Sequence, residues 1–439
     1  MNEIRRIVMA YATTGLSKIA TAAVQLIAFP IVVHSVGDEK FGAMMTIAAI
    51  GSFIQIPAIG LSSSVGYYMS TALGRNDVSS AAKWLRSGLL VASVGMLAIL
   101  AIGLSAVIWA PTTIFLGNEA LNFSKEARLT LLVGLVQICG VYMFNMVEGV
   151  RASFHENYIT NIYSFLAAVL TFFAVGATAF FGPSLPMFYF SMFVVIPIVQ
   201  GLNLLQFVRG RSKEFKQALL TKKTDPYAII GKTISYGKAQ GGIVLHLHGF
   251  TYLTSNLVGL AAGGVVGAVI RIMVIMANMV QSFLNPIFPI ISQSMASDDS
   301  VRLVRYFGIS IVFSVLSATI IGAALYLFGD TILQKWLNID VNPRRSMMVG
   351  FGLLAVSYLG SHLLFNILVY IGQSKMFGYV IGFSGLVGFS FSYMMMQDWG
   401  LGATLTGNAI IFFLFGFCCP FYVALKFLKH RLRLSRIEK

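Results

Sequence analysis

The chain has 439 residues, of which 57% are hydrophobic and only 11% charged, with 42 glycines and 35 phenylalanines. Soluble domains carry about 25% charged residues, so composition excludes an ordinary soluble domain and predicts a polytopic membrane protein. The formal net charge of +15 would suggest nucleic acid only on a folded soluble surface, whereas these basic residues fall in short gaps between apolar runs.

Apolar windows of about 20 residues predict about twelve membrane spans. They lie at 7–33, 41–69, 87–109, 129–150, 158–181, 185–207, 233–261, 265–291, 306–328, 346–370, 378–396 and 401–425. The first follows Arg5 and Arg6 and is too long for a signal-peptide core, so it reads as a transmembrane helix. In it Tyr11, Thr14, Lys18, Thr21 and Gln25 recur at intervals of three and four and share one helical face. A Lys at mid-span costs at least ~2.5–3.5 kcal/mol if it faces lipid. Lys18 is therefore expected to face protein or water.

With both termini on one side, that side holds 22 of the 31 Lys and Arg residues, the other side 6, and 3 lie within spans. The excess predicts cytoplasmic termini. At the inner end of span four, Glu148 either pairs with Arg151, three residues on, or serves as a coupling group.

The longest polar interruption, Arg209 to Lys232, separates six spans from six. The expected architecture is all-α. An N-terminal six-helix bundle (1–208) and a C-terminal one (233–425) flank a basic cytoplasmic linker (209–232), and a basic tail follows (426–439). The linker is expected to carry a short surface helix; a lipid-headgroup anchor is its other reading.

In span seven, Lys238 shares a broad face with Gly242, His246, Tyr252 and Asn256. In span eight, Arg271, Asn278, Ser282 and Asn285 fall on one face, expected to form a cavity wall or an interhelical hydrogen-bond seam. Lys238 and Arg271 lie near span ends, so snorkelling to headgroups stays open for both. His246 and His248 diverge on a helix and make no metal pair; a proton relay at His246 stands beside a hydrogen-bonded structural role. His362 is read the same way. Pro30, Pro57, Pro197, Pro286 and Pro289 interrupt spans, and Gly259, Gly263 and Gly267 allow either close helix approach or turn formation. Cys139, Cys418 and Cys419 lie in apolar spans and read as packing residues. No nucleotide loop, metal motif or catalytic constellation is present, so neither an enzyme nor a bound cofactor is expected, and a coupling ion (H+ or Na+) is left open.

The halves resemble each other at a shift of 221–222: Phe144-Asn145 lies over Phe365-Asn366, Tyr158 over Tyr379, and Val36-Gly37 over Val258-Gly259. An even number of spans per half makes this a parallel repeat.

The run from Pro30 to Asp77 ends a first span in proline, then has a short Gly-Asp-Glu-x-x-Gly loop, a Gly-Leu and an Arg-Asn-Asp loop. In this it resembles the Wzx-type O-antigen and polysaccharide flippases, of the superfamily that includes the multidrug-and-toxin exporters and lipid II flippases. The resemblance implies a multidrug-and-toxin-exporter-like fold in the bacterial inner membrane. It implies movement of an undecaprenyl-pyrophosphate-linked oligosaccharide to the periplasmic leaflet by alternating access. Membrane lipid, a glycan polymerase and a chain-length regulator are the further partners it suggests. On that reading Lys18, Arg271 and Lys238 bind pyrophosphate. Tyr11, Thr14, Thr21, Gln25, Asn256, Asn278, Ser282 and Asn285 line a polar cavity, and Glu148 and His246 are the coupling candidates. The rival is a cation-coupled small-molecule exporter, which would favour carboxylates in spans one or seven; neither span has one.

Overall fold

An apolar segment crossing a bilayer must satisfy its backbone internally, and outside closed barrels only helices do so. The membrane-spanning segments of the computed structural model are helical among the described residues. It describes residues 3–437 except 222, 285–286, 288–290, 292–293, 295–299, 338–344 and 371–373. The side chains of 3–11, 235, 300, 345, 369–370, 374–376 and 430–437 also lie outside the described set. Asn285, Pro286 and Pro289, and the side chain of Tyr11, each assigned a role from the sequence, lie outside the described residues.

In chain order the helices are α1 (Glu3–Val36), α2 (Asp38–Ile54), α3 (Ile56–Gly74), α4 (Val78–Trp109), α5 (Thr112–Leu116) and α6 (Ser124–Phe144). There follow α7 (Val147–Ser153), α8 (Asn157–Phe181), α9 (Leu185–Tyr189), α10 (Val195–Arg209), α11 (Lys213–Thr221) and α12 (Pro226–Val244). The rest are α13 (Phe250–Leu257), α14 (Leu260–Leu284), α15 (Ser300–Leu337), α16 (Arg345–Tyr370), α17 (Ser374–Phe412) and α18 (Cys419–Ile437). Widened π-helical turns at Phe190–Val194, Leu245–Gly249 and Phe413–Cys418 join α9 to α10, α12 to α13 and α17 to α18.

Among the described residues nine helices are long and apolar enough to cross a membrane, or ten with the bent pair α2–α3 counted as one span. This is a multi-pass membrane protein. Two features separate that count from the expected twelve. The run from Pro226 to Leu257 is helical but carries too many polar groups to qualify by apolarity. In α17, Gly400 breaks a 53-residue apolar stretch with φ 72°, at the predicted boundary between the last two spans. The α2–α3 bend of 44° follows from Pro57, which sits in the first turn of α3 just past the break at Gln55.

The chain divides into two units, residues 1–237 with 259–264, and residues 238–258 with 265–439. In the first, α1 packs along α8, α3 packs between α4 and α7, and α4 also carries α6 and α11. Leu61, Val65, Met69, Leu85, Tyr142 and Phe207 are among the residues of its continuous core. In the second, α15 packs on α16, α16 on α17, and α18 on α15.

Helices in lipid gain little from hydrophobic burial against one another, so small residues that admit close backbones hold such bundles together. At Gly259, however, turn chemistry decides: its φ of 139° suits only glycine, and the turn it makes starts α14. Glu119 completes that start, its Oε2 accepting the Leu260 N–H at 2.6 Å.

Candidate functional site

In the first unit, the polar stripe of α1 turns inward. Leu16, Ile19, Leu26 and Ile27 are exposed apolar residues on one side of the helix. Thr14, Lys18, Thr21 and Gln25 are half-buried on the other. Thr14 Oγ1 accepts a 2.7 Å hydrogen bond from Asn161 Nδ2 of α8, fixing the stripe against that helix. Thr21 instead donates to the Ser17 carbonyl at 2.8 Å, within its own helix. Lys18 makes no hydrogen bond or ion pair among the described residues. Its ammonium acts at longer range on the Glu148 carboxyl.

Glu148 reaches that position because α6 stops at Phe144 and α7 restarts at Val147. The α7 backbone is pressed onto α3, with the Gly149 N–H donating to Ser62 Oγ at 3.2 Å and Ser153 Oγ donating to the Gly66 carbonyl at 3.0 Å. Glu148 is exposed to solvent. The alternative in which Glu148 pairs with Arg151 is not what the structure shows. Arg151 turns away into a buried network, donating to Glu156 Oε2 at 2.6 Å, to Asn203 Oδ1 at 3.0 Å and to Gln206 Oε1. Both residues lie within α7, but Glu156 and the α10 residues Asn203 and Gln206 take the guanidinium instead.

In the second unit, Arg271 of α14 is half-buried, and its charge reaches the His248 ring and the Tyr358 hydroxyl. Further along α14, Gln281 Oε1 lies 2.6 Å from Nε2 of His362, so Nε2 carries the proton. Asn278 and Ser282 are half-buried, and Ser282 Oγ donates to the Asn278 carbonyl at 2.8 Å. In the seam on α14, Gln281, which lies outside the seven-residue spacing of Arg271 and Asn278, makes the link to α16. Asn256 Nδ2 donates to the Tyr252 carbonyl at 3.0 Å, within its own helix. Lys238 is exposed; its Nζ donates to Tyr379 Oη at 2.8 Å and sits 4.1 Å from that ring's centre.

His246 occupies a closed site. Its Nδ1 lies 2.8 Å from Asn408 Oδ1 and its Nε2 lies 3.1 Å from Ser384 Oγ. The ring stacks on Phe412 at 4.2 Å with the planes 6° apart. The widened turn at Leu245–Gly249 disturbs the regular backbone ladder, and Asn408 Nδ2 donates to the His246 carbonyl at 3.0 Å. One Asn thus clamps both ring and backbone. Gly388 leaves the room: a Cβ there would lie 2.5 Å from both Asn408 Oδ1 and His246 Cε1. Asn408→Ala is expected to destabilise the protein by about 1–3 kcal/mol, the cost of stranding buried polar groups. A thermal melt in detergent checks this, and a melt equal to wild type would refute the clamp.

No family model matches the sequence, and no curated protein does. Solved structures match over nearly their whole length. One is the inward-facing conformation of a multidrug resistance MATE family transporter of the MOP superfamily, at 13% identity, covering 99% of this chain and 100% of that one with TM-score 0.75. A MATE crystal structure in the bent conformation matches at 14% identity, over 99% and 98% of the two chains, with TM-score 0.68. A MOP superfamily transporter from Pyrococcus furiosus, described by a reverse polarity of its binding pocket that suggests a different function, matches at 15% identity. It covers 99% and 96% of the chains with TM-score 0.64. At such identities the likeness establishes the fold: this chain has the MATE-like transporter fold.

Proposed function

We propose that this chain is an alternating-access exporter of the bacterial inner membrane, with both termini cytoplasmic. Its substrate is an anionic lipid-linked oligosaccharide of the undecaprenyl-pyrophosphate type, carried to the periplasmic leaflet. The observation that carries this reading is Lys18: a cation on the inward face of a spanning helix, with no hydrogen bond or ion pair of its own among the described residues. A phosphate oxygen is the partner such an ammonium favours, and the neighbouring hydroxyl and amide groups suit sugar. Arg271 offers a second half-buried cation in the other unit.

A second reading is a cation-coupled small-molecule exporter. The names of the solved structures speak for it more than for the first. Glu148 also supplies an exposed carboxylate in the first unit, which the first and seventh spans lack. Against it stands the sign of the interior charge, since Lys18 repels a cationic cargo. Deleting the gene separates the two. Loss of surface polysaccharide with unchanged tolerance to cationic dyes supports the flippase; intact polysaccharide with increased dye sensitivity refutes it in favour of the exporter.

A further inference from the structure

The helix α11 has a face that the transport reading does not use. It is anchored to the first unit from beneath. Phe215 and Ala218 are buried, and the Phe215 ring meets those of Phe154 and Phe207 at 6.1 Å each. Arg86 donates to the Leu220 carbonyl at 2.5 Å and Ser87 Oγ accepts the Asp225 N–H at 2.8 Å, tying both helix and following turn to α4.

One flank remains outward. At 100° per residue Lys213, Lys216 and Leu220 fall within one sector. Lys213 is exposed, Leu220 is 74% exposed, and half-buried Lys216 donates through Nζ to the Arg209 carbonyl at 2.8 Å. Lys223 and Tyr227 follow in the chain past the helix end, Tyr227 being 85% exposed. Charge on this flank is not neutralised locally: neither Lys213 nor Lys223 has an ion pair among the described residues. Of the acids nearby, Glu214 lies on α11 itself, about 100° round the helix from Lys213, and three others are engaged elsewhere. Glu156 holds Arg151 and Arg211, Asp77 caps α4 through the Ser80 N–H, and Asp225 accepts the Ala228 N–H.

Depth identifies the partner. Leu202 and Leu205 are exposed on the last turns of α10, and Leu90 and Val94 on α4, so an apolar outer belt ends just short of Arg209 and α11. Four residues of helix, about 6 Å, separate Leu205 from Arg209. A helix at the edge of such a belt, with lysines beside an exposed Leu and Tyr, lies at headgroup level.

We propose that the Lys213–Lys216–Leu220 flank of α11, with Lys223 and Tyr227, is a binding surface for anionic phospholipid headgroups. The lysines take the phosphates while Leu220 and Tyr227 enter the acyl boundary. The inference stands whichever substrate the protein carries.

The test is lipid retention by the full-length protein, purified in detergent and offered phosphatidylglycerol or phosphatidylcholine, read by native mass spectrometry. Wild type is expected to hold phosphatidylglycerol in preference. Each lysine near an anionic surface is worth about fivefold in partition, so the triple variant Lys213→Gln/Lys216→Gln/Lys223→Gln should lose at least about tenfold. Added salt should weaken retention in wild type but not in the variant. Leu220→Ser leaves every charge in place and should reduce retention on its own, which keeps the test decisive if the triple variant melts early. Equal retention of the two lipids by wild type, or undiminished phosphatidylglycerol on both variants, would overturn the proposal. So would displacement of the lipid by millimolar inorganic phosphate, which would mark a site for soluble anions.

Discussion

Lys18→Ala is expected to reduce substrate translocation by about 10–100-fold while leaving the amount of protein in the membrane unchanged. A charge-assisted hydrogen bond contributes about 1.5–3 kcal/mol, and the loss of one from a bound anion converts to that range. Display of surface polysaccharide in a complemented deletion strain reads the effect, with immunoblotting for protein level. Lys18→Arg should retain more activity than Lys18→Ala, because charge and donors persist while reach and geometry change. The neighbour sharpens the test. Glu148 feels the Lys18 charge, so removing Lys18 leaves a carboxylate without its compensating field. If Lys18 served only to neutralise Glu148, Lys18→Ala/Glu148→Gln would restore translocation. On the substrate-binding reading the double variant stays inactive. Full polysaccharide display by Lys18→Ala alone would refute the assignment outright.

What the sequence discloses about this site is what one helix can hold. The inward face of α1 is legible because Thr14, Lys18, Thr21 and Gln25 repeat at the helical period, and the exposed Leu16, Ile19 and Leu26 lie off that face. The α2–α3 bend is legible in Pro57, and the break at Gly400 in the drop between two apolar windows. Links between helices are not. Glu148 meets the field of Lys18 across 130 positions of chain, and no spacing rule joins them. The i, i+3 rule pointed Glu148 at Arg151 instead. Both residues lie within α7, so the spacing holds, but it carries no information on Glu156, Asn203 and Gln206, which take the guanidinium. The internal repeat has the same limit: Phe144-Asn145 falls at a break, whereas Phe365-Asn366 lies inside α16. His246 shows a third case. Its sequence signal, a lone His in an apolar span, cannot tell a relay from a clamp, and Asn408 lies 162 residues away.

Replacing Arg151 by Ala should destabilise the first unit by about 3–5 kcal/mol, the penalty for stranding the remaining partners of a buried charge network. The side chain is only 3% exposed. Its Nε donates to Asn203 Oδ1 at 3.0 Å, one terminal nitrogen to Glu156 Oε2 at 2.6 Å, and the other to the Asn203 carbonyl at 3.2 Å and to Gln206 Oε1. The guanidinium also lies 5.1 Å from the centre of the Phe207 ring. Glu156 would keep Arg211, which bonds the same oxygen at 2.6 Å and lies 4.0 Å from the Phe207 ring, so the carboxylate is not wholly orphaned. Asn203 and Gln206 have no such substitute for the donors they lose. That division predicts an ordering. Arg151→Lys should rescue little, because one ammonium cannot reach Glu156, Asn203 and Gln206 from a single point. Glu156→Gln should cost as much as Arg151→Ala, since two guanidinium groups then face each other without a carboxylate between them. Arg128, exposed and remote from this network, serves as the control: Arg128→Ala should melt with wild type. Thermal melts of the purified protein in one detergent rank the four variants, and an Arg151→Ala midpoint equal to that of Arg128→Ala would show that the network does not hold α7 to α10.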